Sequence, residues 1–438
     1  MGIASQIFHH ELSASIVTDK EEPWSEQLDV IRSQLGAPRN PLLFPPYYLK
    51  AAFRKIGGRV ALIEKDQKMI GAAFLFPRSL DEVSKVFTLR YHQLGNEPVE
   101  PNEVIKALTP LVQEAPFSTS LIFYDPRDAQ QYQARDVETT QLCDGSQIDI
   151  HTPTAPEADE IRNLQMQTWD SLPDELYPAD IHSANFRLAT SLVASSDSEI
   201  IGFLFGFYRL GGPQLPEFWS QSLRTELRVQ SQMLAVSEKY RKLGIAFYLK
   251  KAQAKIATDE EIEVIHWTVD PLQYPNAVLN FGKLKAVAFT FYRNYYELNN
   301  LLNRVLASRL EITWLPSTDR VTQGLSDPSS DIVDLSKSDC NVTRVNSGPR
   351  EALCSARSPR IAIEIPSNWT ELQTENASLA AEWRESTDRL FEHYLGSIEG
   401  KYMITAVGRE DNRKYLIADR IDSNLITTFI TSENRRAK

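Results

Sequence analysis

The stretch from Leu234 to Ala246 reads Leu-Ala-Val-Ser-Glu-Lys-Tyr-Arg-Lys-Leu-Gly-Ile-Ala, an apolar strand end that breaks into a basic, glycine-containing turn and then into a helix. A strand, a tight turn and a helix N-terminus in this order aim unpaired backbone N–H groups and the positive end of a helix dipole at one point. Such a cradle takes a phosphate. Arg241 and Lys242 add mobile positive charge, while Gly244 and Ala246 keep side chains clear of the backbone, so that a pyrophosphate can approach the run Arg241-Lys242-Leu243-Gly244-Ile245-Ala246.

The elements around this turn are legible from periodicity. Upstream, a strand over 147–151 precedes a helix opened by Pro156 and acidic residues. Two strands over 186–194 and 199–208 then flank a polar turn, and a strand over 226–236 leads into the cradle. Downstream follow a helix over 244–258, a strand over 262–270, a helix over 275–285, and strands over 286–293 and 309–315. The order is β-α-β-β-β-α-β-α-β-β, a mixed α/β sheet.

An N-terminal segment repeats part of this rhythm. Helical spacing of Trp24, Leu28, Ile31 and Leu35 gives way to strands over 59–64, 69–76 and 86–92, a helix over 102–113 and a strand over 120–124. Its Met69-Ile-Gly-Ala-Ala-Phe-Leu-Phe76 echoes Ile200-Ile-Gly-Phe-Leu-Phe-Gly-Phe207, yet no basic turn follows its third strand. Two readings stand: a degenerate copy of the same fold, or a chance likeness of two apolar hairpins. The expected domains are 1–140, 146–316, a polar linker over 317–358 rich in Ser and Asp, and an α/β extension over 359–438 with a helix over 375–395.

Bulk properties exclude several classes. At 438 residues the chain exceeds what one hydrophobic core usually supports. No run of about 18 apolar residues suggests a membrane span, and the first residues lack the basic and apolar regions of a secretory signal. A net charge of −11 disfavours a general nucleic-acid binder. Cys143, Cys340 and Cys354 show neither CxxC spacing nor neighbouring histidines, so no metal site is indicated and the cytoplasm is the expected compartment.

Taken together, the middle segment resembles the GNAT superfamily of N-acetyltransferases. Arg241-Lys-Leu-Gly-Ile-Ala246 fits that family's pyrophosphate loop, written Gln/Arg-x-x-Gly-x-Gly/Ala. Ile200–Phe207 resembles its third strand, Ile265-His-Trp-Thr-Val-Asp-Pro-Leu272 its fifth, and Asn276-Ala-Val-Leu-Asn280 the helix that closes the coenzyme site. A narrower likeness is to bacterial predicted acetyltransferases with Trp-Thr-x-Asp-Pro-Leu-x-x-x-Asn-Ala-x-x-Asn, a later strand like Arg309-Leu-Glu-Ile-Thr-Trp314, and counterparts of Ile363–Pro366, Trp383 and Arg384.

The resemblance implies a GNAT fold with two splayed parallel strands at the coenzyme, acetyl-CoA as cofactor, and backbone pairing of Leu234 and Val236 with the pantetheine arm. It also implies direct attack by an acceptor amine, usually with a carboxylate on the fourth strand and a Tyr on the last helix as acid–base helpers. Here the chain departs from the pattern. Gln230 and Gln232 stand where the carboxylate belongs, Phe281 where the Tyr belongs, and Lys285 where a Gly is usual.

Asp270, at the end of the fifth strand, could replace the missing base or could cap the next turn. His266, on the same strand face by alternation, is the second catalytic candidate, against the plainer reading of a structural histidine. Tyr292, Tyr295 and Tyr296 read chiefly as packing. Asn276 and Asn280 are candidates for holding the coenzyme or the turn, and Trp383 and Arg384 for domain packing and a surface ion pair. The expected activity is acetyl transfer from acetyl-CoA to a small-molecule or amino-acid-like amine, with no nucleic acid or membrane partner and oligomerisation left open. The main alternative is a coenzyme-binding regulatory protein without turnover. A third, a tandem GNAT-fold transferase acting with tRNA, is disfavoured by the acidic charge.

Overall fold

A computed structural model describes residues 12–430 except 19–22, 39–43, 45–48, 51–52, 55–56, 81–83, 96–98, 114, 116–117, 125–135, 170–175, 178, 183–188, 198, 224–226, 297–306, 328, 330 and 338–339. The chain forms two compact units, one of residues 1–209 and 233–249, the other of 210–232 and 250–438.

The first unit opens with a five-stranded sheet in the order β1 (Ser13–Ile16), β2 (Arg59–Lys65), β3 (Lys68–Leu80), β4 (Ser84–Gln93), β5 (Ser118–Phe123). β1 to β4 are antiparallel neighbours, and the β2–β3 hairpin turns on Asp66 and Gln67, both at positive φ as a tight hairpin turn requires. α1 (Trp24–Leu35) buries Leu28, Ile31 and Leu35, the stripe that its spacing predicts. α2 (Pro101–Val112) begins with Pro and lays Val104, Leu108 and Val112 on Ile63, Leu75 and Leu89. β4 and β5 are parallel, joined through α2, and their ladder holds six pairs from Ser84↔Ser118 to Leu89↔Phe123.

The same unit continues with β6 (Asp136–Gln141), β7 (Gln147–His151), α3 (Ala155–Trp169), β8 (Ala189–Ser196) and β9 (Glu199–Leu210), the four strands antiparallel in chain order. β6 falls where the sequence suggests a domain boundary. Its Val-Glu-Thr-Thr-Gln run pairs with β7 at the sheet edge, and a polar edge strand leaves no apolar signal. Thr154 and Glu157 form a reciprocal cap at the start of α3, Thr154 N–H donating to Glu157 Oε2 at 2.7 Å and Glu157 N–H to Thr154 Oγ1 at 3.4 Å.

β10 (Leu227–Val236) and α5 (Ile245–Asp259) each begin in one unit and end in the other. The second unit also holds α4 (Glu217–Ser222), β11 (Ile265–Val269), α6 (Tyr274–Ala277) with a π-helical turn over Val278–Lys283, β12 (Val287–Tyr296) and β13 (Ala307–Trp314). β11 pairs with β10 in parallel and β13 in antiparallel fashion, and β13 pairs with β12.

The segment 317–358, expected to be a linker, is built into this unit. It contains α7 (Asp319–Ser326), β14 (Ile332–Asp334), β15 (Thr343–Arg344), β16 (Asn346–Ser347) and β17 (Glu351–Ala352), strands too short to show a period. The tail adds β18 (Arg360–Ile365), α8 (Trp369–Glu375), α9 (Ala377–Tyr394), β19 (Tyr402–Glu410), β20 (Arg413–Arg420) and α10 (Ser423–Ile430). The helix expected over 375–395 is broken at Asn376, whose side chain accepts from Leu379 N–H at 3.0 Å and caps α9.

The tail extends the sheet rather than standing apart from it. β12 pairs with β19 at Ala288↔Ile404, β20 and β18 follow, and the edge that β12 would otherwise expose is covered. Trp219, Phe289, Met403, Ile426 and Phe429 share one buried cluster, and Trp219 Nε1 donates to Ile426 O at 2.9 Å. No helix among the described residues is long and apolar enough to cross a membrane.

Candidate functional site

The loop after β10 has the backbone its sequence implies. Lys242 and Gly244 take φ of 70° and 92°, the left-handed turn that lifts the chain from strand into helix. No hydrogen bond among the described residues occupies the N–H groups of Lys242, Leu243, Gly244, Ile245 or Ala246. A Cβ on Gly244 would meet only the Tyr248 ring edge, at 3.7 Å, so the space over the turn is open. Arg241 and Lys242 are exposed and form no ion pair among the described residues. The front of the loop is anchored, because Tyr240 Oη donates to Glu199 Oε2 of β9 at 2.7 Å. These are the donors, charges and clearance that a pyrophosphate needs.

Two contacts orient the end of β10. Ser237 N–H donates to Ile201 O at 2.9 Å, and Ala235 O lies 3.0 Å from a Cβ built on Gly202, so odd-numbered backbone groups here face β9. The peptide groups of Leu234 and Val236 therefore face the other edge. At Val229 it is the odd-numbered N–H that bonds toward β11, donating to Val264 O at 3.0 Å. The parity changes between these points, so β10 carries an irregularity of the bulge type. Gly202→Val is expected to cost about 1–3 kcal/mol by pushing its side chain into Ala235 O and Ile245. Urea denaturation of the variant checks this, and an unchanged midpoint would show that β9 and β10 can part freely.

β10 and β11 form a fork. Their parallel ladder holds Val229↔Ile265 and Gln230↔His266 and then stops, although both strands run on. At the apex His266 is buried, 2% exposed, with Nδ1 2.9 Å from Glu311 Oε1 of β13. Glu311 Oε2 accepts from Tyr292 Oη of β12 at 2.5 Å. The three side chains make a Tyr–Glu–His chain in which the carboxylate fixes the imidazole orientation. On the opposite side, Ser231 and Trp267, each one residue past the last ladder pair, meet Lys250 of α5.

Asp270 is committed elsewhere. Its Oδ1 accepts from Leu272 N–H at 2.9 Å, the turn-capping role, and its Oδ2 accepts from Arg384 Nη2 at 2.7 Å and Trp369 Nε1 at 3.1 Å, with Arg309 Nη1 at 3.8 Å. Arg384 is 4% exposed, so the surface ion pair expected for it is a buried one. Three hydrogen-bond donors and a further guanidinium thus surround this carboxylate.

Nearby, Asp388 Oδ2 accepts from Ser308 Oγ at 2.6 Å, and burial pushes the Asp388 carboxyl up to about 6. A raised carboxyl binds its proton more tightly folded than unfolded, so stability is expected to fall as pH rises from about 4 to about 6. The loss is up to about 3 kcal/mol. Melting curves across that window check it, and Asp388→Asn should flatten them.

Asn276 is exposed on α6, whereas Asn280 is 2% exposed within the π-helical turn, where its carbonyl accepts from Ala286 N–H at 2.9 Å. Phe281 is buried and brings no hydroxyl. Lys285 sits at φ 55°, the conformation for which a glycine is usual, and is held by an ion pair to Asp331. Glu311 and Lys250 escaped sequence reasoning. Alternation in Arg309-Leu-Glu-Ile-Thr-Trp314 marks Glu311 as facing the same side as Arg309 and Thr313, but only pairing reveals His266 opposite it. Lys250 falls in a helix among other lysines with no signal of its own.

The order β7, β8, β9, β10, α5, β11, with a forked parallel pair around the helix, agrees with the mixed α/β sheet that the resemblance implies. A family model described as Acetyltransferase (GNAT) family matches residues 158–278. Similar solved structures include Arabidopsis thaliana NAA60 in complex with acetyl-CoA, 17% identical, TM-score 0.32, covering 38% of this chain and 98% of that one. The ribosomal-protein-S18-alanine N-acetyltransferase from Escherichia coli is 12% identical at a TM-score of 0.30, over 39% of this chain and 94% of that one. Mycobacterium smegmatis RimJ in complex with CoA-disulfide is 12% identical at a TM-score of 0.33, over 45% and 96%. No curated protein matches the chain.

Proposed function

We propose that the protein is an N-acetyltransferase that uses acetyl-CoA and acts on the amine of a small-molecule or amino-acid-like acceptor. The observation that carries this is the fork, a parallel pair whose ladder stops at Gln230 and His266, on a strand that runs on to a turn whose N–H groups no described residue engages. Bound acetyl-CoA supplies a thioester open to direct attack by the amine. The N–H groups of residues 242–246, with Arg241 and Lys242, would hold its pyrophosphate. Leu234 and Val236 would offer their backbone edge to the pantetheine arm, and Asn276 is the exposed amide on α6 able to bond it.

At the apex His266 accepts the acceptor's proton, oriented by Glu311, which Tyr292 holds in turn. This replaces Asp270, whose lone pairs are engaged, and the strand carboxylate that Gln230 cannot supply. His266→Gln is expected to lower kcat by about 10²- to 10³-fold with the affinity for acetyl-CoA unchanged. The assay follows free-CoA release over a panel of amines and amino acids. Coenzyme binding with no release on any acceptor would favour the regulatory alternative, for which Gln230, Gln232 and the buried Phe281 speak.

The N-terminal sheet supports a second proposal, a degenerate copy of the same fold. It has three antiparallel neighbours leading to a parallel β4–β5 pair connected through a helix. Its six ladder pairs leave no fork, which accords with lost coenzyme binding.

A further inference from the structure

Lys250 stands at the fork without a part in the acetyl transfer proposed above. It lies on the second turn of α5 and is 3% exposed. Its Nζ donates to Ser231 Oγ at 2.8 Å, stands 3.4 Å from Gln253 Oε1 and sits 3.5 Å from the centre of the Trp267 ring. Ser231 and Trp267 each follow the last laddered residue of their strands, so this amine spans the opening of the fork from the face opposite the His266 side chain.

No carboxylate among the described residues pairs with Lys250. An ammonium buried without a counter-charge is costly, and such a site persists where the charge is needed or the proton is given up. A helix packed on a sheet does not require a lysine here. Methionine fills the same volume at no electrostatic cost.

We propose that Lys250, through Ser231, is the proton donor to the departing thiolate, the role left vacant by Phe281. The inference rests on the acetyltransferase reading above. In the step, the acceptor nitrogen bonds to the acetyl carbon and the carbon–sulfur bond breaks. The sulfur takes a proton from Ser231 Oγ, which is refilled from Lys250, and the acceptor's own proton passes to His266. The next cycle begins when the His266 proton leaves to solvent and Lys250 regains one. Burial lowers the Lys250 amine well below its usual range, which makes its proton easier to give up. The ring of Trp267 favours the ammonium, so the proton is held until sulfur begins to carry charge.

The decisive readout needs no acceptor. CoA is bound to the full-length protein and its thiol is titrated by the thiolate absorbance band, in wild type and in Lys250→Met. An ammonium beside the sulfur should lower the bound thiol's pKa, and Lys250→Met should raise it by about one unit or more, a tenfold change in thiolate fraction. Ser231→Ala, a smaller change, should shift it in the same direction if Lys250→Met fails to fold. With a working acceptor, Lys250→Met should lower kcat about 100-fold, leave acetyl-CoA affinity within a few-fold, and remove the alkaline limb of the pH profile. Lys250→Arg, which keeps charge but does not release its proton, should not restore kcat.

Identical bound-thiol pKa values in wild type and both variants would overturn the proposal, as would an unaltered pH profile. If wild type binds CoA yet releases none on any amine, the acetyltransferase reading fails while the thiol titration still decides whether Lys250 faces the sulfur. Failure of wild type to bind CoA overturns both.

Discussion

Replacing Gly244 with glutamate is expected to abolish acetyl-CoA binding, lowering affinity at least about 100-fold in calorimetric titration. Two effects add. A side chain at φ 92° is strained by about 1–2 kcal/mol in this left-handed turn, which tilts the free N–H groups of the loop. A carboxylate within the cradle also opposes the pyrophosphate, and like charges so placed cost several kcal/mol, about a factor of 100 or more in binding. Gly244→Ala separates these terms. Its Cβ meets only Tyr248 at 3.7 Å, so it should carry the backbone strain without the repulsion and weaken binding about tenfold or less. Undiminished affinity in the glutamate variant would sink the assignment of the loop as a phosphate site.

The second large effect is on stability. Asp270→Asn is expected to lower the melting temperature of the second unit by roughly 6 to 12 °C, because breaking a buried ion pair costs about 3 kcal/mol and a unit of this size loses a few degrees per kcal/mol. The carboxylate gathers Arg384, Trp369 and the Leu272 N–H at hydrogen-bond distance, tying the end of β11 to α8 and α9. Among the described residues Arg384 Nε and Nη1 have no hydrogen-bond partner, so removing the charge from Asp270 leaves a buried guanidinium with Asp388, at 4.0 Å, as its remaining described counter-ion. Acetyl-CoA affinity should be retained. A loss of turnover with an unchanged melting temperature would instead return Asp270 to the role of base.

Tyr292→Phe provides a milder comparison. It removes the hydroxyl that holds Glu311 and should reduce kcat about threefold to tenfold without the collapse expected of His266→Gln. A kcat equal to wild type would place Tyr292 among the packing residues.

Local chemistry is what made parts of this protein readable in advance. The turn at Gly244 needs only its own backbone and the next turn of helix to be recognised, and the run 241–246 marks a strand-to-helix turn from composition and order. Helix α1, with Leu28, Ile31 and Leu35 on one face, and the β2–β3 hairpin around Asp66 and Gln67 are likewise written over a few residues each.

Roles that depend on partners far along the chain were hidden. Asp270 and His266 are four residues apart and equal as titratable side chains in sequence, yet one meets Arg384, 114 residues on, and the other Glu311, 45 residues on. The first contact consumes a carboxylate, while the second orients an imidazole. β6 and β14 to β17 were invisible because short polar strands derive their stability from neighbours rather than from their own period. The sequence by itself determined the basic, glycine-containing turn proposed as an anion loop and most of the elements around it. The tertiary structure alone decided where the parallel ladder stops and which charged groups are spent on each other, because strand pairing and burial are properties of residues brought together from distant parts of the chain.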